Sequence, residues 1–312
     1  MQEVCTEHGA SVALGRHLKA KANCRLAGED LRAGETVTTA GTRIKASHVA
    51  AAASVGAGRL SVYRKLTIAL FSNGDELRDP EASEQPAIRP GEVFDTNTPM
   101  LRAAMKDLPV EIVQNRIIGD TLSATEAALR DASRTADIIL TSGGASRGEE
   151  DHMLIALEKL GKRHLWQLAI KPGRPMMMGQ IARPNSSRSL NSVEDSLYFG
   201  LPGNPVAAFV CFLLYVRPSL LALAGSAFEE VPRFTVVSGF DIPSKKQDRR
   251  EFLRARLISR EDGALIAEKF DRDGSGLISS LRTSDGLVEL DEATTSIQKG
   301  DSVQFLPFPE GL

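Results

Sequence analysis

At 312 residues the chain is longer than one compact domain usually runs, so two or three domains are expected. With 42% hydrophobic and 25% charged residues it can fill an ordinary core, which excludes a disordered chain, and its formal net charge of -2 offers no general attraction for nucleic acid or an anionic membrane. Cys5, Cys24 and Cys211 have no CxxC spacing, no stretch has a signal-peptide layout, and the longest apolar run, Val206 to Val216, is short for a bilayer, so a reduced, cytoplasmic, soluble protein is expected.

Residues 1–62 carry Gly28, Gly34, Gly41 and Gly56 between short apolar runs, which reads as strands and turns, with an Ala-rich helix near Ser47 to Ser54. From Leu66 the texture changes. Leu66 to Phe71 is a continuous apolar run ending in Ser72-Asn73-Gly74-Asp75-Glu76, the pattern of a buried parallel strand entering a polar loop. Thr98-Pro99 reads as the N-cap and first residue of a helix that buries Leu101, Ala104, Met105 and Leu108. Val110 to Val113 follows as a strand, Ser123-x-x-Glu126 as a capping box opening a helix, and Asp137 to Leu140 as the next buried strand. Met153, Leu154, Leu157 and Leu160 mark a third helix; strands are expected at Leu165 to Ile170 and Leu197 to Leu201, a loose loop at Asn185 to Ser196, and a helix after Pro205. This alternation predicts an α/β domain over 63–225 with a doubly wound, mostly parallel sheet. Beyond Gly225 short runs at 234–240, 252–258, 265–270, 287–290 and 303–306, with Asp262-Gly263 as a hairpin turn, predict a small β domain over 226–312.

In an open parallel sheet, ligands bind outside the carboxyl ends of the strands, so the strand-end loops are where chemistry is expected. Thr141-Ser142-Gly143-Gly144-Ala145-Ser146 lets the backbone come close to a ligand and turn N–H groups toward an oxyanion, although a plain tight turn has the same composition. In Pro202-Gly203-Asn204-Pro205, Asn204 is a candidate N-cap at a helix start that also suits an anion. Lys171 and Arg174 are braced by Pro172 and Pro175, with no acidic residue nearby in sequence, and suit phosphate or molybdate. Glu76, Asp120 and Asp151 lie in or just after such loops; three carboxylates on one rim suit Mg²⁺, while helix capping is the alternative for Asp151. His152 and His164 lack a second nitrogen ligand at a convincing spacing and read as ordinary histidines, and Trp166 reads as a packing residue.

Gly74-Asp75-Glu76-Leu77, Asp95-Thr96-Asn97, Ser142-Gly143-Gly144-x-Ser146-x-Gly148-Glu149-x-Asp151, Lys171-Pro172-Gly173-Arg174-Pro175 and Leu201-Pro202-Gly203-Asn204-Pro205-Val206, in this order, resemble the MoeA family of molybdopterin molybdenumtransferases and the related domain of gephyrin. The resemblance extends upstream through Ala27-Gly28-Glu29-Asp30 and Ala40-Gly41-Thr42 and downstream to Gly274-Ser275-Gly276. It implies a molybdopterin-binding α/β domain, a C-terminal β-barrel-like domain and a homodimer. It also implies a reaction in which adenylylated molybdopterin and molybdate give molybdenum cofactor and AMP with Mg²⁺. By position, Glu76, Asp120, Asp151 and Lys171 are the implied catalytic residues, the three acids also being the implied metal ligands. Asp95, Asn97, Ser142, Gly143, Gly144, Ser146, Arg174, Pro202, Gly203, Asn204, Pro205, Arg249, Arg254 and Ser275 are the implied substrate-binding residues.

Two departures from the family pattern stand out. No Asp-Gly-Tyr-Ala motif occurs, so the substrate-facing segment that carries it in the family is expected to be missing from this chain, whose residues 1–62 would be the remnant of a larger N-terminal region. Gln167 stands where the family often has lysine. Two other functions remain open at this stage: a molybdopterin-binding scaffold without turnover, and the related adenylyltransferase, against which the flanking regions count.

Overall fold

The computed structural model describes residues 5–14, 19, 21, 24–82, 87–144, 152–183, 195–228, 230–261 and 263–309. Chain contacts divide it into two units, Met1–Leu60 and Ser61–Leu312. In the first, strands β1 (Cys5–His8) and β2 (Ser11–Leu14) form an antiparallel hairpin, and helix α1 spans Ala46–Ser54. The expected turns fall at Gly28, Gly34, Gly41 and Gly56, all with positive φ, but among the described residues between Gly28 and Gly56 helix α1 forms and no strand does.

The second unit opens with β3 (Leu66–Asn73), whose side chains alternate between two cores: Ile68 and Leu70 face one way, Ala69 and Phe71 the other. Short strands β4 (Leu77–Arg78) and β5 (Val93–Phe94) pair, then α2 (Asn97–Ala104), β6 (Val110–Ile118), α3 (Leu122–Ala132), β7 (Ile138–Ser142) and α4 (His152–Leu160) follow. Next come β8 (Gly161–Trp166), β9 (Ile170–Lys171), β10 (Met177–Ile181), β11 (Ser196–Leu201) and the long helix α5 (Pro205–Leu223), which includes a π-helical stretch at Phe212–Val216. The main sheet has the order β6-β3-β7-β11-β10-β8.

Its first four strands are parallel, as expected; β10 runs against both neighbours, a strand that the sequence reading missed because Met177 to Ile181 has no flanking helix to mark a crossover. The expected strand at Leu165 to Ile170 is broken in two by Gln167, which has a φ of +67°, so that β8 stays in this sheet while β9 joins another. The helix starts also shift from the sequence reading. Asp95 Oδ1, not Thr98, accepts from the first backbone N–H groups of α2, and Thr121, two residues before Ser123, caps α3 through a bond from the Ala124 N–H.

The remaining strands, β12 (Phe234–Ser238), β13 (Arg250–Ser259), β14 (Leu265–Lys269), β15 (Gly286–Leu290) and β16 (Ser302–Pro307), close into a five-stranded barrel because β14 pairs with both β12 and β13. β13 and β14 form the expected hairpin; Asp262 lies outside the described residues. The barrel has its own interior, including Val236, Ala255, Val288 and Phe305, while Phe252, Leu287 and Leu306 continue the sheet core beneath α5. α5 is long and apolar enough to cross a membrane by length and composition, yet 61% of that stretch is buried inside this core.

Candidate functional site

The register brings the strand-end loops level. Across the parallel strands Ile118 of β6 pairs with Asn73 of β3, Ser72 of β3 with Ser142 of β7, and Ser142 with Leu201 of β11. On the other flank Met177 pairs with both Gly200 and Trp166, so the loop joining β8 to β10 leaves the sheet at the same edge. The segments holding Asp120, Glu76, Ser142 to Gly144, Lys171 with Arg174, and Pro202 to Asn204 therefore all open on one rim. Ser146 and Asp151 lie outside the described residues.

At the centre of that rim, buried Asn97 ties three elements together. Its Nδ2 donates to Ser142 Oγ at 2.6 Å and to the Gly203 carbonyl at 2.7 Å. A carbonyl can only accept, so Gly203 fixes which way the amide faces. Asp95, also buried, supports Asn97 from below by accepting its backbone N–H at 3.0 Å. Ser142 Oγ in turn reaches the Pro202 carbonyl at 3.4 Å.

Gly143 and Gly144 both have positive φ, and a Cβ on Gly143 would stand 2.5 Å from the Asn73 carbonyl oxygen. The double glycine is thus required by the chain's own close packing of β7 against β3, whatever else it binds. Asn204 leads into α5 with its carbonyl accepting from the Ala208 N–H and no side-chain cap bond, so its amide is not used in capping. Pro205 sits at the first helical turn, and the Val206 N–H donates to the carbonyl of Ser275, which places that barrel residue at the start of α5.

The acids lie on the β3 and β6 side. Glu76 and Asp120 are exposed, and Asp75 Oδ1 accepts from the Asp120 N–H at 2.9 Å, joining the two loops. The Glu76 carboxylate folds over Gly74, whose φ of +152° is a backbone conformation that residues with a Cβ rarely adopt. Among the described residues no three histidine, cysteine or acidic side chains converge as a metal cluster.

The basic loop is less isolated than its sequence suggests. β9 pairs in parallel with β13, matching Lys171 to Glu251, and Lys171 Nζ donates to Glu251 Oε2 at 3.2 Å. The acid is 80 positions away in sequence, which is why it was not visible there. The Lys171-Pro172 peptide is cis, and Gly173 packs on Cys211 of α5, whose Sγ lies 3.4 Å from the Gly173 carbonyl. Arg174 Nε donates to Gln167 Oε1 at 3.3 Å.

Arg254 is buried, with its guanidinium donating to the carbonyls of Arg272 and Gly274 and to Ser280 Oγ, so it shapes the loop that carries Ser275. Burial lowers its pKa, and Asp273 partly offsets this. Arg249 stands beside Asp248 at 3.5 Å, in the bend just before β13. Trp166 is about half exposed, with the Arg163 guanidinium 5.3 Å above its ring, and His164 bonds to Gln180 at 2.8 Å.

A mostly parallel sheet domain with a glycine-lined rim, followed by a closed β-barrel, defines a class of protein, and comparison with known families identifies it. A family model described as "Probable molybdopterin binding domain" matches residues 69–222, "MoeA C-terminal region (domain IV)" matches 235–308, and "MoeA N-terminal region (domain I and II)" matches 1–56. The chain belongs to the MoeA family of molybdenum cofactor biosynthesis. It is 28% identical to the molybdopterin molybdenumtransferase of Haemophilus influenzae over 98% of its own length and 72% of the relative's. It is 29% identical to that of Nostoc sp. over 91% of its length and 63% of the relative's. The MoeA structure from Pyrococcus horikoshii superposes on 98% of this chain and 71% of that one, with a TM-score of 0.75 at 25% identity.

Proposed function

We propose that the chain acts as a molybdopterin molybdenumtransferase, converting adenylylated molybdopterin and molybdate to molybdenum cofactor and AMP. The observation that carries this reading is the level register from Ile118 through Ser142 to Leu201 and Trp166, which opens the strand-end loops holding Asp120, Glu76, Ser142 to Gly144, Lys171 with Arg174 and Pro202 to Asn204 on one edge of the sheet. Similarity to relatives bearing that enzyme name supports it.

On this reading Lys171, Arg174, the N–H groups of the Ser142 to Gly144 turn and the start of α5 at Gly203 to Pro205 hold the phosphate and molybdate oxyanions. Asn97 keeps those turns in register through Ser142 and Gly203. Exposed carboxylates on adjacent, tied loops fit Mg²⁺, which takes oxygen ligands and keeps several waters, so Glu76 and Asp120, with Asp151, would hold it. Bound there, Mg²⁺ would neutralise charge on the anhydride and the leaving AMP. Ser275, held at the start of α5 by the loop that Arg254 shapes, brings the barrel to the same rim, with Arg249 in the bend that leads into β13. We also assign 1–62, 63–225 and 226–312 as the working domains, a homodimer as the working state, and the cytoplasm as its place.

The test is AMP release from adenylylated molybdopterin with molybdate and Mg²⁺. Release that needs both additions and falls by about two orders of magnitude in Glu76→Gln and Asp120→Asn supports the assignment. The same rate in those variants as in the unmodified chain would overturn it.

A further inference from the structure

Gln167 is a non-glycine residue in left-handed backbone, with a φ of +67°. Side chains with a Cβ rarely adopt this conformation, and it persists where surrounding contacts over-determine it. Three backbone bonds do so here. The Gln167 N–H donates to the Met176 carbonyl at 3.0 Å, and the Leu168 and Met176 N–H groups donate to the Arg174 carbonyl at 2.8 and 3.0 Å. They close the base of the loop that presents Lys171 and Arg174. Within it the Arg174 Nε donates to Gln167 Oε1 at 3.3 Å.

We infer that Gln167 is a positioning residue that turns the Arg174 guanidinium so that its Nη1 and Nη2 edge meets a tetrahedral oxyanion at the rim. This rests on the reading of the Lys171 to Arg174 loop as oxyanion-binding. A guanidinium offers two bidentate edges, one formed by Nε with an Nη and one by the two Nη groups. With Nε held by Gln167, the first is closed to a ligand and the second remains. Among the described residues the Arg174 side chain makes no other hydrogen bond. The amide oxygen orients the cation and leaves its charge intact, whereas Lys171 meets the full carboxylate charge of Glu251. The left-handed turn and the side-chain bond thus act as one device, setting Arg174 as the less neutralised of the two cations.

The experiment is calorimetric titration of the full chain with sodium molybdate, alongside thermal melting. Gln167→Gly removes the acceptor and relieves the left-handed backbone. It is expected to weaken molybdate binding roughly tenfold, the cost of ordering one long side chain, with the melting temperature unchanged or higher. In an Arg174→Lys background, which has no Nε to hold, adding Gln167→Gly is expected to change binding no further. If Arg174→Ala weakens binding but Gln167→Gly does not, or if Gln167→Gly costs as much in the Arg174→Lys background as alone, the positioning role is overturned while the oxyanion reading stands. If the unmodified chain binds no molybdate, or Arg174→Ala binds it equally well, the oxyanion reading falls and takes the positioning role with it.

Discussion

Asn97 and Gly143 show how little freedom individual residues have at the rim. Replacing Asn97 with alanine removes the donor to the Gly203 carbonyl, a part-buried bond, and to Ser142 Oγ, a buried one, and is expected to lower stability by about 1–3 kcal/mol, read as a shift in the urea midpoint. Gly143→Ala is expected to cost at least as much, on the order of 2–3 kcal/mol, because a Cβ would meet the Asn73 backbone at 2.5 Å and the φ of +91° is itself unfavourable. If Gly143→Ala melts with the unmodified chain, the packing of β7 on β3 is not what demands glycine. The motif Ser-Gly-Gly was legible in sequence as a flexible turn; that its first glycine faces the chain's own backbone was not, because Asn73 lies 70 positions earlier.

Among the elements, α5 and the β8 to β10 loop constrain each other through Cys211. Cys211 is buried under Gly173, and burial pushes its thiol pKa far above the ordinary range. Cys5 is half-buried and Cys24 exposed. A thiol reagent at neutral pH is therefore expected to modify Cys5 and Cys24 in the folded chain and to reach Cys211 only after denaturation; modification of Cys211 in the native state would contradict the packing of α5. Arg254→Ala is expected to loosen the 272–274 loop, with a loss of about 1–3 kcal/mol and reduced AMP release, since buried Ser280 Oγ and the part-buried bonds to the Arg272 and Gly274 carbonyls lose their donor. The helices themselves were legible as apolar periodicity, and so was the start of α5 at Pro205, but the first residues of α2 and α3 were not. Asp95 and Thr121 act as caps through backbone contacts that a search for Ser-x-x-Glu patterns does not find.

For the molecule as a whole, the opposite edge of the sheet is fastened by Asp137. Burial alone would raise its pKa, but hydrogen bonds from Arg64, the Thr67 N–H and hydroxyl, and Arg183 outweigh this and hold the carboxyl well below the usual range. Because the folded value is depressed, the carboxylate's contribution is full above the unfolded value of about 4 and is lost as the pH falls below it. Asp137→Asn is expected to lower stability at neutral pH by roughly 2–3 kcal/mol and to flatten the decline of stability between about pH 4 and pH 2. Melting curves recorded across that range give the answer; an unchanged slope would mean the acid sensitivity lies elsewhere. The barrel, the second large body of this unit, is joined to the sheet by β9, a two-residue strand too short to stand out in any sequence pattern.

The sequence by itself determined the alternation of strands and helices, the β-rich C-terminal stretch and the loops worth watching, because apolar periodicity and turn chemistry act over a few residues. Tertiary structure decided what lies across from what: the reversed strand β10, barrel closure through β14, Glu251 against Lys171 and Gln167 beneath Arg174. Those choices depend on register and on contacts between distant segments, which set free energies that no local run of residues encodes.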